Sequence, residues 1–260
     1  MNTSEDTLVR FGYKYGSNGA HSARSMMLDE LSLLFSANGP DAERSKYQKD
    51  ICDLNLLSKP TIKARLLTYR HLCDLYGMTN DIAVFRVFRK LWTQDAGARP
   101  VLALQVALLR DPLLRLSREF MLSRDESDVV LREQVEEILK APNPDRFSPA
   151  SLKSFAQNIN GTWTQAGFLK GKNKKVRSQP KVSPANVAFA LFLTYLEGAS
   201  GERLLTGPHC KLFGLNEHHI NELAIAAGHR GLIDFKQSGG VTEIRFPEYL
   251  TAEEESWLYE

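Results

Sequence analysis

Apolar residues recur along the first half of the chain at three- and four-residue spacing, the period of an amphipathic helix. In residues 20–36, Met27, Leu28, Leu31, Leu34 and Phe35 share one face, and Asn38-Gly39-Pro40 closes the segment. A second helix is expected over 42–54. Ile62, Leu66, Tyr69, Leu72 and Tyr76 mark a third over 61–76, with Ser58 or Lys59 as cap, Pro60 in the first turn and Gly77 at the end. Further helices are expected at 81–93, 99–110, 112–122 and 125–140. Strand alternation is almost absent, so residues 1–143 read as an all-α domain.

Residues 140–148 (KAPNPDRFS) are rich in turn formers and predict a boundary, with a second domain over 144–260. There Ser148-Pro149 starts a helix that carries Leu152, Phe155, Ile159, Trp163 and Ala166 on one stripe and closes at Gly167. Gly161 inside it costs about 1 kcal/mol against alanine, so close packing or a kink is expected there. Ser183-Pro184 opens the apolar helix 185–197, and a further helix follows over 216–229. Leu232, Ile233 and Phe235, a Ser-Gly-Gly turn, then Val241, Ile244 and Phe246 predict a β-hairpin. The fold class is therefore mainly α, a helical bundle with helix-turn-helix or winged-helix-like subdomains and a C-terminal β-hairpin. The closing TAEEESWLYE is acidic and predicts a short helix or tail.

Composition narrows the function classes. The chain has 260 residues, is 43% hydrophobic and 25% charged, and balances 33 basic against 31 acidic residues, as an ordinary globular protein does. The longest apolar runs, 101–109 and 187–196, fall short of the roughly 20 residues a bilayer needs, and the first residues lack the apolar core of a secretory leader. No membrane association is expected. Cys52, Cys73 and Cys210 are odd in number and far apart, which suits reduced thiols in a cytoplasmic protein. His209-Cys210 and His218-His219 lack the partners of a zinc site. No phosphate-loop, dinucleotide, GxSxG or HExxH motif is present. The expectation is a protein without cofactor, metal or catalytic constellation.

Charge is unevenly spread. Residues 167–184 (GFLKGKNKKVRSQPKVSP) hold six cations, Lys170, Lys172, Lys174, Lys175, Arg177 and Lys181, and no acid. They follow helix 149–166, whose exposed side is expected to offer Lys153, Asn158, Thr164 and Gln165 to phosphates or base edges. A helix followed by a hairpin is the local arrangement of a winged helix, and a flexible cationic loop satisfies counterion release without fixed geometry. A second cluster, Lys59, Lys63, Arg65, Arg70 and His71, has no acid within 58–71. If 42–56 and 61–76 form a helix-turn-helix, these cations sit on its second helix. Residues 14–25 predict an ordinary capped helix start, with a phosphate held by Ser17, Asn18, His21 and Arg24 as the secondary expectation.

The segments ARSMMLDELSLLF, WTQAGFLKGKNKKVR, VAFALFLTYLEGASGERLL and GLIDFKQSGGVTEIRF together resemble the BrxA proteins of bacterial BREX phage-defence loci. The resemblance runs thinly over most of the chain and carries no catalytic motif. It implies a small, mostly helical, non-enzymatic protein with winged-helix-like parts that binds double-stranded DNA. It also implies work beside other BREX proteins: a methyltransferase, an ATPase and a phosphatase-like component. The rival expectation is a protein-interaction adaptor, its basic loop meeting an acidic partner and Glu253–Glu255 a basic one. RNA is a third ligand, although no aromatic strand platform is evident; Tyr13 and Tyr15 suit anchoring better than base stacking.

Overall fold

The computed structural model describes residues 3–260. It is mainly helical, with two small antiparallel sheets. α1 (Glu5–Phe11) leads into a 3-10 turn at Ala20–Ser22, then α2 (Leu28–Ser36), α3 (Arg44–Gln48) and a π turn at Lys49–Asp53. α4 (Ile62–Tyr76), α5 (Ala83–Gln94), α6 (Arg99–Arg110), α7 (Pro112–Leu116) and α8 (Arg118–Leu122) follow. Next come β1 (Val129–Val130), α9 (Arg132–Lys140), α10 (Pro149–Gln165), β2 (Leu169–Lys170) and β3 (Lys175–Arg177). The chain finishes with α11 (Pro184–Leu196), α12 (Pro208–Lys211), α13 (Glu217–His229), β4 (Asp234–Ser238), β5 (Val241–Arg245) and α14 (Ala252–Ser256).

Several boundaries differ from the periodicity, each for a physical reason. α2 begins at Leu28 rather than near 20, because the preceding segment is tied sideways. The His21 backbone and ring both donate to Asp111, and the backbone N–H of Met26 donates to Thr162. Met27 takes the left-handed φ of 52° before the helix starts. Thr61, not Ser58 or Lys59, caps α4 by accepting from the Ala64 N–H, which leaves Pro60 outside the helix. The expected helix 112–122 breaks at Ser117, whose hydroxyl donates to the Leu114 carbonyl and accepts from Trp163 Nε1. Residues 125–131 are not helical: β-branched Val129 and Val130 leave the helix for the sheet.

The first sheet has the strand order β1-β3-β2, with Val129 opposite Val176 and Leu169 opposite Arg177. The second is the expected C-terminal hairpin, β4-β5, with Phe235 opposite Ile244. Its turn is made by Gly239 and Gly240, at φ 58° and 80°, the positive pair that a tight hairpin of this twist requires.

One apolar core runs from Leu8 to Tyr249, so it is continuous across the 140–148 loop. α11 is buried along nearly its whole length and packs on α5 and α6 as well as on α12 and α13. Among the described residues, no helix is long and apolar enough to cross a membrane. The acidic C-terminus forms a helix: Thr251 and Glu254 make a capping box, and buried Glu254 pairs with Arg86 at 2.5 Å.

Candidate nucleic-acid interface

The basic stretch folds as a hairpin because its apolar members have somewhere to go. Phe168 and Leu169 are buried, and Phe168 packs edge-on against Trp163 of α10 with ring centroids 5.1 Å apart. β3 then returns between β1 and β2. Gly171 makes the reversal at φ 97°, where a Cβ would collide with the Lys174 carbonyl oxygen. Lys172 and Lys174 stand exposed on the tip, and Lys175 reaches back to the Gly171 carbonyl at 2.7 Å. Among the described residues, none of Lys153, Lys170, Lys172, Lys174, Lys175 and Lys181 forms an ion pair.

Arg177 does not belong to that exposed set. It is 5% exposed. Its Nε donates to the Met121 carbonyl at 3.1 Å, and Nη1 donates to the carbonyls of Phe168 and Ser178. Burial pulls its pKa below the ordinary guanidinium value. A guanidinium spent on main-chain carbonyls holds β3 to α8 and cannot also hold a phosphate.

Between the hairpin, the β1–α9 corner and α10 lies a groove of about 520 Å³, lined by Lys172, Lys174, Lys175, Leu131, Gln157 and Asn160, among others. Arg132 at its edge is already paired with Glu133 and Glu136, both at 2.6 Å. Gln157 is exposed. Asn160 is 5% exposed, and its Oδ1 is buried without a partner. α10 thus presents Lys153, Ser154 and Gln157 outward, rather than the Asn158, Thr164 and Gln165 set. Asn158 donates to the His21 carbonyl, Thr164 donates to the Asn160 carbonyl, and Gln165 Oε1 is enclosed. The sequence signal for Gln157 is its i+4 spacing from Lys153, a row along one helix face.

Gly161, also on the groove wall, faces Ser25; a Cβ there would sit 3.5 Å from the Ser25 Cβ. That is an ordinary van der Waals distance, so the 20–27 segment packs on α10 at Gly161 without requiring glycine there. Next to Ser25, exposed Arg24 lies close enough to His71 of α4 that, after burial, its charge is the main cause holding the imidazole pKa down. Segment 22–25 therefore bridges the hairpin groove and the second basic cluster.

Within that cluster the structure divides the cations. Lys63 and Arg70 are exposed and free of ion pairs among the described residues. Lys59 is paired with Glu30 at 2.8 Å, and half-buried Arg65 donates to the Cys52 carbonyl. Their neighbours are apolar: Ile62 is 70% exposed, Leu54 64% and Leu66 40%. The phosphate cradle at 17–24 is occupied by the chain itself. Arg146 takes the Ser17 carbonyl and Asn18 Oδ1, His21 is fully buried, and at Gly19 a Cβ would collide with Asp111. Tyr13 is a buried anchor against α11, with its hydroxyl at 3.3 Å from both the Leu193 carbonyl and Glu197.

The chain matches no family model and no curated protein.

Proposed function

We propose that the protein binds double-stranded DNA, mainly through phosphates, with the β2–β3 hairpin as a wing. The observation that carries this reading is the group of unpaired lysines on that hairpin, Lys170, Lys172, Lys174 and Lys175, beside the exposed row of α10. The element order supports it. Strand, helix, helix and hairpin, with sheet order β1-β3-β2, is the arrangement in which a winged helix sets α10 toward a groove and the wing over the adjacent backbone. On this reading α11 to β5 forms a second, similar unit. The bridge through Ser25 and Arg24 supports one duplex reaching from the wing to Lys63 and Arg70 on α4. Counterion release at these side chains supplies affinity without strong sequence preference. The resemblance to BrxA gives the biological setting: a non-enzymatic component of a BREX phage-defence system, acting on DNA in the cytoplasm beside the other BREX proteins.

A gel-shift salt titration tests this. Lys172→Ala, Lys174→Ala and Lys175→Ala combined weakens binding and flattens its dependence on salt; an unchanged titration rejects the wing.

A second reading, an interaction adaptor, is favoured by one observation. The apolar patch of Leu54, Ile62 and Leu66 beside Lys63 suits a protein partner better than a phosphate backbone. Labelled duplex captured by the protein alone at physiological salt separates the two, since an adaptor captures none.

A further inference from the structure

A second cavity, of about 200 Å³, lies between the Tyr13–Tyr15 segment, α6, the α7–α8 pair, the end of α11 and α12. Its polar groups are poorly matched to one another. Gln105, in the middle of α6, is 1% exposed; its Nε2 donates to the Asn186 carbonyl at 3.1 Å, which fixes the amide orientation and leaves Oε1 buried with no donor. Buried acceptors are rarely left bare. Arg115 donates through Nε to the Leu108 carbonyl and through one Nη to the carbonyls of Lys14 and Leu109, and Arg118 donates through one Nη to the Pro208 carbonyl. Each keeps an Nη1 group unspent, and neither forms an ion pair among the described residues. Glu197 Oε1 meets His209 Nε2 at 2.7 Å and the Tyr13 hydroxyl at 3.3 Å, while Oε2 stays free.

Charge separates within this small volume. Burial pulls both guanidiniums below their ordinary pKa, and they remain cations. Burial is the strongest single influence on the Glu197 carboxyl and works to raise it, but His209, the Tyr13 hydroxyl and the Arg118 charge together hold the group below the ordinary carboxylate value. Two cationic donors therefore stand near one carboxylate and one bare amide acceptor. We propose that this cavity binds a small zwitterion of the α-amino-acid type, its carboxylate held by Arg115 and Arg118 and its ammonium by Gln105 Oε1 and Glu197 Oε2.

Other ligand classes fit less well. A simple anion leaves Gln105 Oε1 without a donor and sits against Glu197. A simple cation faces two guanidiniums. An apolar molecule strands every polar group on the wall. The volume is below the roughly 300–1,000 Å³ of sites for drug-sized ligands, which restricts the ligand to a small one. Tyr15 and Leu212 on the lining suit an apolar side chain over a charged one. The inference is independent of DNA binding, because none of these residues belongs to the hairpin or to α4.

Isothermal titration of the full chain with glycine, alanine, serine, valine and leucine tests it. The controls for each are the amine lacking the carboxylate, the acid lacking the amine, and the N-acetyl derivative. At least one amino acid should bind saturably at about 1 mM or tighter, with each control weaker by more than about tenfold. Arg118→Met should abolish binding. If that variant does not fold, Gln105→Met, which removes the bare acceptor and the Nε2 donation to Asn186 but no charge, should weaken binding by about tenfold in a chain that still unfolds cooperatively. The proposal is overturned if no amino acid binds saturably, if the controls bind equally, or if folded Gln105→Met binds as the parent does.

Discussion

His21 and Asp111 stand 90 positions apart in the chain, yet His21 Nδ1 lies 2.8 Å from Asp111 Oδ2 with both side chains fully enclosed. On the far side of the ring, Thr162 Oγ1 accepts from the Met26 N–H and sits 2.7 Å from His21 Nε2. This relay fastens the 19–26 segment to both α7 and α10, and with it the bridge between the two basic surfaces.

Asp111→Asn should destabilise the fold by about 3 kcal/mol, because two donors from His21 lose a charged acceptor inside the protein. Burial is the strongest single influence on Asp111 and opposes its ionisation, but His21 and the Leu114 N–H together hold its pKa below the ordinary 3.8. The stability this adds is full above the unfolded carboxyl value and is lost as pH falls through the folded one. Urea unfolding followed downward from pH 7 should show a shallower acid limb in the variant than in the parent.

Arg177 and the tip lysines should part company in one pair of experiments. Arg177→Met removes three hydrogen bonds to main-chain carbonyls in the interior and should cost about 2–4 kcal/mol of stability. The triple lysine variant, all surface change, should keep stability within about 0.5 kcal/mol. In DNA binding it should reduce the log–log salt slope by up to about 3, at roughly 0.9 for each phosphate that is no longer neutralised.

Gly171→Ala keeps every charge and moves them. The left-handed φ of 97° and the clash with the Lys174 carbonyl should cost about 1–2 kcal/mol and distort the tip. Weaker duplex binding by this variant, measured by fluorescence anisotropy, would show that the lysines must be positioned and not merely present.

Lys63→Ala with Arg70→Ala probes the reach of the second surface. Binding to a duplex of about two turns should weaken while binding to one of about one turn, roughly 10 base pairs, stays the same. Equal effects on both lengths would remove α4 from the path.

Helix type was legible where an apolar stripe met a clear cap, as at Ser148-Pro149; around Ile62 to Tyr76 the stripe alone located the helix while its cap was misplaced, and the C-terminal hairpin was legible from its paired glycines. Periodicity could not foresee the loss of helix at 20–27, because the cause is a contact with Asp111 and Thr162 far along the chain. The clustering of lysines was plain in sequence. Arg177 was misread with them, since its neighbours in sequence are exposed and only the strand pairing turns its side chain inward. Charge counting was equally blind to Glu30 of α2, which pairs with Lys59 in the loop before α4. The cavity around Gln105 had no sequence signature, because its walls come from five separate segments.

β1 precedes the 140–148 loop and its hydrogen-bonded neighbour β3 follows it. Dividing the gene at that loop would deprive the downstream fragment of the strand that covers Val176 and would strip α11 of α5 and α6. Such a fragment, expressed by itself, should be insoluble or promptly degraded, whereas proteolytic nicking of the loop in the intact protein should leave two pieces that stay together and still elute as one species.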